Sequence, residues 1–310
     1  MQRTLIALAT ALAFAPSAFA LDILVTNDDG IASAGLQTLA TALADAGHDV
    51  TVVAPATQQS GKGGSVNTDV FGAFVTIVRT ADDQYSVDGT PSDAVNAALN
   101  VILEDPPDLV VSGLNEGQNL GKPTSNVSGT IGAALSAALG AGIPAIAGSV
   151  GILFSEAGDD FPSTIAAYPS AADFIVRVVE RLEYVNGLLP HRVRLLNINF
   201  PVPAEDTQGV KITRLADGAD LTLPFFDVTN GFPPFFPPLP IADPCDSLAV
   251  GGFCLAGVGV TFPPGPDPVP RNDVDAHRDG FITITPMSGD MTADPFASFV
   301  TAWVLKGLTP

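Results

Sequence analysis

Positive charge is what this chain has least of. It carries 13 Lys and Arg against 33 Asp and Glu, a formal net charge of -20. That balance argues against a nucleic-acid polymer as the main partner, because phosphate backbones are gripped by basic side chains. Charged residues are only 15 % of the chain and the mean hydropathy is +0.34, which excludes general disorder. Cysteine is nearly absent: only Cys245 and Cys254 occur. With no further Cys or nearby His they do not make a zinc site. In an oxidising compartment a short-loop disulfide fits them, with two free thiols as the alternative. The three histidines, His48, His191 and His277, do not cluster. No nucleophile elbow, no Ser–His–Asp constellation, no Gly-x-Gly-x-x-Gly after the first strand and no Walker A lysine is present. Beyond residue 20 no apolar run reaches the length of a membrane span, and no internal repeat is visible.

The N-terminus reads as a targeting segment rather than as fold. Arg3 supplies a positive start, residues 5–14 an apolar stretch, and Ala18-Phe19-Ala20 a small-x-small cleavage site. The expectation is an exported, periplasmic or secreted protein without a membrane anchor, cleaved near Ala20 and beginning at Leu21.

The chain is organised around Ile23-Leu24-Val25-Thr26-Asn27-Asp28-Asp29-Gly30. A short apolar run ending in turn residues suits a parallel strand buried on both faces. Leu36, Leu39, Ala40 and Leu43 follow at helical spacing. Asp28 and Asp29 therefore fall where a strand hands over to a helix, the crevice in which open α/β sheets bind ligands. Two adjacent carboxylates there repel each other and lose water. A hard divalent cation would relieve both costs. The other reading is an ordinary Asn-Asp-Gly turn.

Two more loops leave strands on the same side. Residues 49–54 read as a second strand, followed by Gln58-Gln59-Ser60-Gly61-Lys62-Gly63-Gly64-Ser65. Residues 108–112 read as a third buried strand, running into Gly113-Leu114-Asn115-Glu116-Gly117-Gln118-Asn119-Leu120-Gly121. Asn115 offers a neutral oxygen ligand, and Asn119 can hydrogen-bond a phosphate or a water. Ser128-Gly129-Thr130 then opens a helix over residues 131–139; its free N–H groups suit an anion, and a plain N-cap is the competing explanation. Lys62 and Lys122 lie in these loops and can either focus positive potential on an anionic substrate or stay solvated. Between the loops, residues 71–79 and 85–87 read as an edge pair of strands. Thr90-Pro91-Ser92-Asp93 reads as a capped helix start that needs no chemistry to explain it.

Further on, residues 144–150 read as a fourth buried strand and residues 174–182 as an apolar helix. Strands are expected at 193–200, where Asn197 and Asn199 alternate with Leu196 and Ile198, and at 210–215 and 281–286. A terminal helix is expected at 296–305, and His277 reads as part of an acidic loop. Residues 216–270 are rich in Pro and Phe and read as an arm or long loop stapled by Cys245–Cys254. Such a segment packs on a partner subunit, lines a cleft, or folds back on its own domain.

The stretches Thr26–Gly30, Ala54-Pro55 with Ser60-Gly61, Gly89–Asp93, Ser112–Asn115 with Gly117, Asn119 and Gly121, and Ser128–Thr130 resemble the SurE family of metal-dependent 5'/3'-nucleotidases in order, spacing and strand context. The resemblance is strong over residues 21–150 and weaker through residues 196–201, 210–214 and 281–286. It implies a doubly wound, mostly parallel α/β sheet with a smaller C-terminal, β-rich or extended part. The expected organisation is a signal peptide at 1–20, a core at 21–215, the Pro/Phe-rich arm at 216–270 and a strand and helix returning to the core at 271–310. It implies hydrolysis of nucleoside 5'- and 3'-monophosphates with one Mg²⁺ or Mn²⁺ ion. Asp28, Asp29, Ser60 and Asn115 match the metal ligands. Asn119, Ser128, Gly129 and Thr130 match phosphate and active-site contacts, so that Asp28, Asp29 and Asn119 are the candidate catalytic residues. The family's C-terminal part often exchanges between subunits, so a homo-oligomer, dimer or tetramer, is expected. Lys62 and Lys122 are not carried by the resemblance; the export signal and the Pro/Phe-rich stretch also depart from the common pattern. A broad exported acid phosphatase and a non-catalytic exported phosphate- or nucleotide-binding protein are the alternatives.

Overall fold

Each central strand of the molecule alternates its side chains between two buried faces. The structure is a computed structural model that describes residues 20–67, 72, 74–156, 159–184, 193–220, 225–227, 256–258 and 266–288. Strands β1 (Asp22–Thr26), β2 (Asp49–Pro55), β3 (Ile77–Ala81), β4 (Gln84–Val87), β5 (Leu109–Glu116), β6 (Ala145–Val150), β7 (Leu195–Phe200), β8 (Val210–Ile212) and β11 (Ile282–Met287) form one nine-stranded sheet. Its order is β3-β4-β2-β1-β5-β6-β7-β11-β8. The run from β4 to β7 is parallel throughout, β3 is antiparallel to β4, and β11 is antiparallel to β7 but parallel to β8. A separate antiparallel pair joins β9 (Phe225–Asp227) to β10 (Ala256–Val258).

Helices cover both faces, as a parallel sheet requires. Ile23 and Val25 of β1, with Val52 and Val111, pack under Leu36, Leu39 and Leu43 of α1 (Ala34–Asp45) and Ile175 and Val179 of α5 (Pro162–Tyr184). Leu24 points the other way and joins Val53 and Val110. There it meets Val95 of α2 (Pro91–Ala97) and Ile131 and Ala134 of α4 (Gly129–Leu135). At roughly 25 cal/mol per Å² of apolar surface, two such layers supply the main driving force for folding.

Several boundaries differ from those the sequence suggests. The edge strand runs from Ile77 to Ala81, residues 74–76 before it are not in a strand, and residue 71 lies outside the described residues. The third buried strand continues to Glu116, with a register shift between Ser112 and Asn115, so Asn115 sits on a strand end rather than in a loop. Helix α3 (Gly121–Val127) precedes α4, and α4 passes into a π-helical turn at Ser136–Ala141. The apolar helix expected at 174–182 is the C-terminal half of α5, which starts at Pro162 and contains Pro169. His277 lies in a short helix, α6 (Asp273–Arg278), not in a loop; burial holds its imidazole below the usual range. The signal segment at 1–19, His191, Cys245, Cys254, the terminal helix and most of residues 216–270 lie outside the described residues.

Candidate active site

Asp28 and Asp29 follow β1 directly, at the carboxyl edge of the sheet beside β2 and β5. Asn27 shapes the turn: its Nδ2 donates to the Gly30 carbonyl at 3.1 Å and to Ser33 Oγ at 2.6 Å, and its Oδ1 accepts from Gly30 N–H at 3.2 Å. With Asn27 turned inward in this way, the next two side chains form the site. Asp28 is only 3 % exposed.

The second loop closes over them. Gln59 N–H donates to the Asp28 carbonyl at 2.7 Å. Gln58 Nε2 donates to Asp29 Oδ1 at 2.9 Å, while Gln58 Oε1 accepts from Ser60 N–H at 2.6 Å. One glutamine side chain thus ties the Ser60 backbone to the Asp29 carboxylate, and the Ser60 side chain is exposed. The far end of this loop is fixed on α4. A Cβ at Gly132 would lie 2.1 Å from the Gly63 carbonyl oxygen, so only glycine allows that approach.

The third strand end arrives from the other side. Glu116 N–H donates to Asp29 Oδ2 at 3.0 Å, so the residue directly after Asn115 is bonded to the aspartate pair. Asn115 Nδ2 donates to the Gly117 carbonyl at 2.6 Å, and its Oδ1 is buried with no hydrogen-bond partner. An orphaned buried carbonyl oxygen costs about 1–3 kcal/mol. The three loops foreseen from the sequence therefore do meet at Asp28 and Asp29.

Helix α4 begins at the same place. Ser128 caps it, its Oγ accepting from Ile131 N–H at 3.2 Å. Thr130 Oγ1 donates to Asp28 Oδ1 at 2.6 Å, and Asn119 Nδ2 donates to Thr130 Oγ1 at 3.3 Å and to Ser149 Oγ at 2.9 Å. The backbone groups of Gly129 and Thr130 also favour the charged form of Asp28. A Cβ at Gly129 would lie 2.7 Å from both Asp28 Cβ and Oδ2. The anion in front of this helix is thus first the protein's own carboxylate. Thr130 and Asn119, matched to phosphate contacts, also align Asp28.

Lys62 is exposed in the second loop. Lys122 is an ion-pair partner of Asp217. Sequence reasoning missed Gln58, although it stands two residues before Ser60. It also missed Asp273, fully buried, whose carboxylate accepts from Gly121 N–H at 2.9 Å and Ala216 N–H at 2.8 Å. Asp273 thereby ties the end of the third loop to the C-terminal part.

Electrostatically the site is short of positive charge. Among the described residues no Lys or Arg forms an ion pair with Asp28 or Asp29. Burial raises Asp28 above the usual carboxylate range even against the Thr130 hydrogen bond. Burial and the Asp28 charge push Asp29 up to about 7. Burial raises Glu116 as well. No group of three or more His, Cys, Asp and Glu among the described residues could hold a metal ion. A cation here would need the neutral oxygens of Ser60 and Asn115 beside the two carboxylates, and a hard, oxygen-seeking ion fits that donor set.

A doubly wound α/β sheet with an acidic, cation-poor centre at its carboxyl edge defines the class of protein: a ligand-binding α/β protein of the kind that works at strand ends. The profile of one family, described as Survival protein SurE, matches residues 23–220, and the chain belongs to that family. A protein named 5'-nucleotidase SurE from Thermosynechococcus vestitus is 36 % identical over 287 residues, 91 % of this chain and 96 % of its own. One of the same name from Methanosarcina barkeri is 42 % identical over 198 residues, covering 63 % of this chain and 72 % of its own. The crystal structure of the SurE protein from Aquifex aeolicus superposes with a TM-score of 0.67 at 28 % identity, over 91 % of this chain and 98 % of that one.

Proposed function

We propose that this protein is a divalent-metal-dependent phosphomonoesterase that hydrolyses nucleoside 5'-monophosphates, and 3'-monophosphates as well, to nucleoside and phosphate. Membership of the SurE family and the names of its relatives support the reaction class. The observation that carries the metal is local: two adjacent carboxylates, Asp28 buried and Asp29 half-buried, have no Lys or Arg ion-pair partner among the described residues, and the strand end that bonds Asp29 through the Glu116 amide also carries the orphaned Asn115 Oδ1. Asp28, Asp29, Ser60 and Asn115 would hold Mg²⁺ or Mn²⁺. When bound there, the ion supplies Lewis acidity toward a phosphoryl oxygen and lowers the pKa of a coordinated water.

The chain's own groups do the rest. Thr130 and the start of α4 hold the Asp28 carboxylate in one orientation. Gln58 and the Glu116 amide hold both oxygens of Asp29. Asn119, Ser128, Gly129 and Thr130 border the place where a phosphate would bind, and donors fixed before the reaction need no reorganisation during it. The partner class is a nucleoside monophosphate. Export after cleavage near Ala20 and a homo-oligomeric state belong to the same proposal, supported by the N-terminal pattern and by the family respectively.

The test is phosphate release from AMP, GMP, 3'-AMP and p-nitrophenyl phosphate with Mn²⁺ or Mg²⁺, each repeated in excess chelator. Release from the nucleotides that chelator abolishes is the expected result. Release that survives chelation removes the metal. Equal rates on every phosphomonoester favour a broad acid phosphatase. Binding without release leaves a carrier.

A further inference from the structure

Asparagine is a poor strand former, yet β7 buries two of them completely. Asn197 and Asn199 are both 0 % exposed, on a strand whose remaining positions are Leu195, Leu196, Ile198 and Phe200. Leu196, Ile198 and Phe200 face the α5 layer, so the two amides face the opposite side, where α4 lies. Burying an amide is costly unless it is used.

Both amides are used on the main chain of one residue, Asn119. Asn197 Nδ2 donates to the Asn119 carbonyl at 2.8 Å and Asn199 Nδ2 donates to the same oxygen at 3.2 Å. Asn119 N–H donates to Asn199 Oδ1 at 2.7 Å. The third loop is therefore gripped through its main chain from a strand that lies some 80 residues further along. Register places the grip in line with the site: Asn115 on β5 stands opposite Ser149 on β6, and Ser149 opposite Asn199 on β7. With its backbone fixed, Asn119 directs its own Nδ2 to Ser149 and Thr130, and Thr130 donates to Asp28. Asn197 Oδ1 has no hydrogen-bond partner, so this strand keeps a donor at the expense of an orphaned acceptor. A leucine of similar size would spare that cost.

We propose that Asn197 and Asn199 are positioning residues for the reaction. By clamping both main-chain groups of Asn119 they fix the third loop and, through Asn119 and Thr130, the orientation of the Asp28 carboxylate. The proposal rests on the phosphomonoesterase reading above. Such supporting contacts are worth about 10–100-fold in activity at comparable sites.

The deciding variant is Asn197→Leu, which removes one donor to Asn119 together with the orphaned acceptor. Asn197→Thr, a better strand former, serves if the leucine variant does not fold. Ile198→Ala on the opposite face of the same strand is the reference for pure packing loss. Melting temperature, kcat and KM for AMP are measured for each, with activity assayed well below every melting transition. A positioning role gives Asn197→Leu a melting temperature near that of wild type and a kcat lowered about tenfold, with KM changed less than about threefold. Ile198→Ala melts lower and keeps its kcat. Wild-type kcat in the folded Asn197 variants overturns the proposal, as does a kcat loss that merely follows melting temperature in all three. If the wild-type protein itself releases no phosphate, the functional reading fails before any variant is compared, and the positioning role falls with it.

Discussion

Asp28 carries the largest consequence of any single side chain. Its carboxylate is fixed by Thr130 and by the start of α4, and it is raised by burial because no cation offsets it. Asp28→Asn keeps the shape and removes the charge. Turnover should fall roughly 10²–10³-fold or more, with the melting temperature of the metal-free protein no lower than wild type. Full activity in that variant would refute the metal assignment. The pair also sets a pH dependence. Burial and the neighbouring charge raise Asp29 from 3.8 to about 7, so the folded state keeps a proton that the unfolded chain has released in that interval. Stability without metal therefore declines as pH rises between those two values, the reverse of a salt-bridged carboxylate. Thermal melts in chelator across that window should show the decline, and Asp29→Asn should flatten it. The aspartates, Ser60 and Asn115 were legible as residues because strand-end loops advertise themselves in Gly, Asn and Asp. Gln58 was not, because its amide acts through a contact between loops that spacing along the chain does not reveal.

Among the elements, the strands and α1 follow directly from their apolar patterns. Leu36, Leu39 and Leu43 recur one turn apart and all three are fully buried against β1 and β5. Leu39→Ala should cost about 2–5 kcal/mol of unfolding free energy by denaturant titration, with kcat unchanged well below the transition, since the residue faces away from the site. Thr90 and Asp93 form the capping box that their spacing suggested. The first half of α5 was hidden for a physical reason. Its buried face is made of Ala167, Ala171 and Ala172 around Tyr168, small side chains that give little periodic signal, and Pro169 reads as a helix breaker. Helix α6 was hidden because it is six residues long and mostly polar; its buried Asp273 shows its purpose only once Gly121 and Ala216 are beside it.

At the scale of the molecule, the C-terminal part is not an appendage to the sheet. Strand β11 lies between β7 and β8, pairing with β7 through five residues from Thr283 to Met287. The doubly wound class was legible from alternating strands and helices, but this insertion was not, since its partners lie far apart in sequence. A chain ending before Ile282 would leave β7 with a bare edge. Such a truncation should be recovered as aggregate rather than as monodisperse protein in size-exclusion chromatography.

The placement of β11 also fixes a timetable. The flank of β7 stays open until residue 287 has been made, while the parallel run from β4 to β7 can already pair within residues 22–200. The side of the sheet beyond β7 is therefore the last to be sealed, by a strand that slots in between β7 and its outermost neighbour β8.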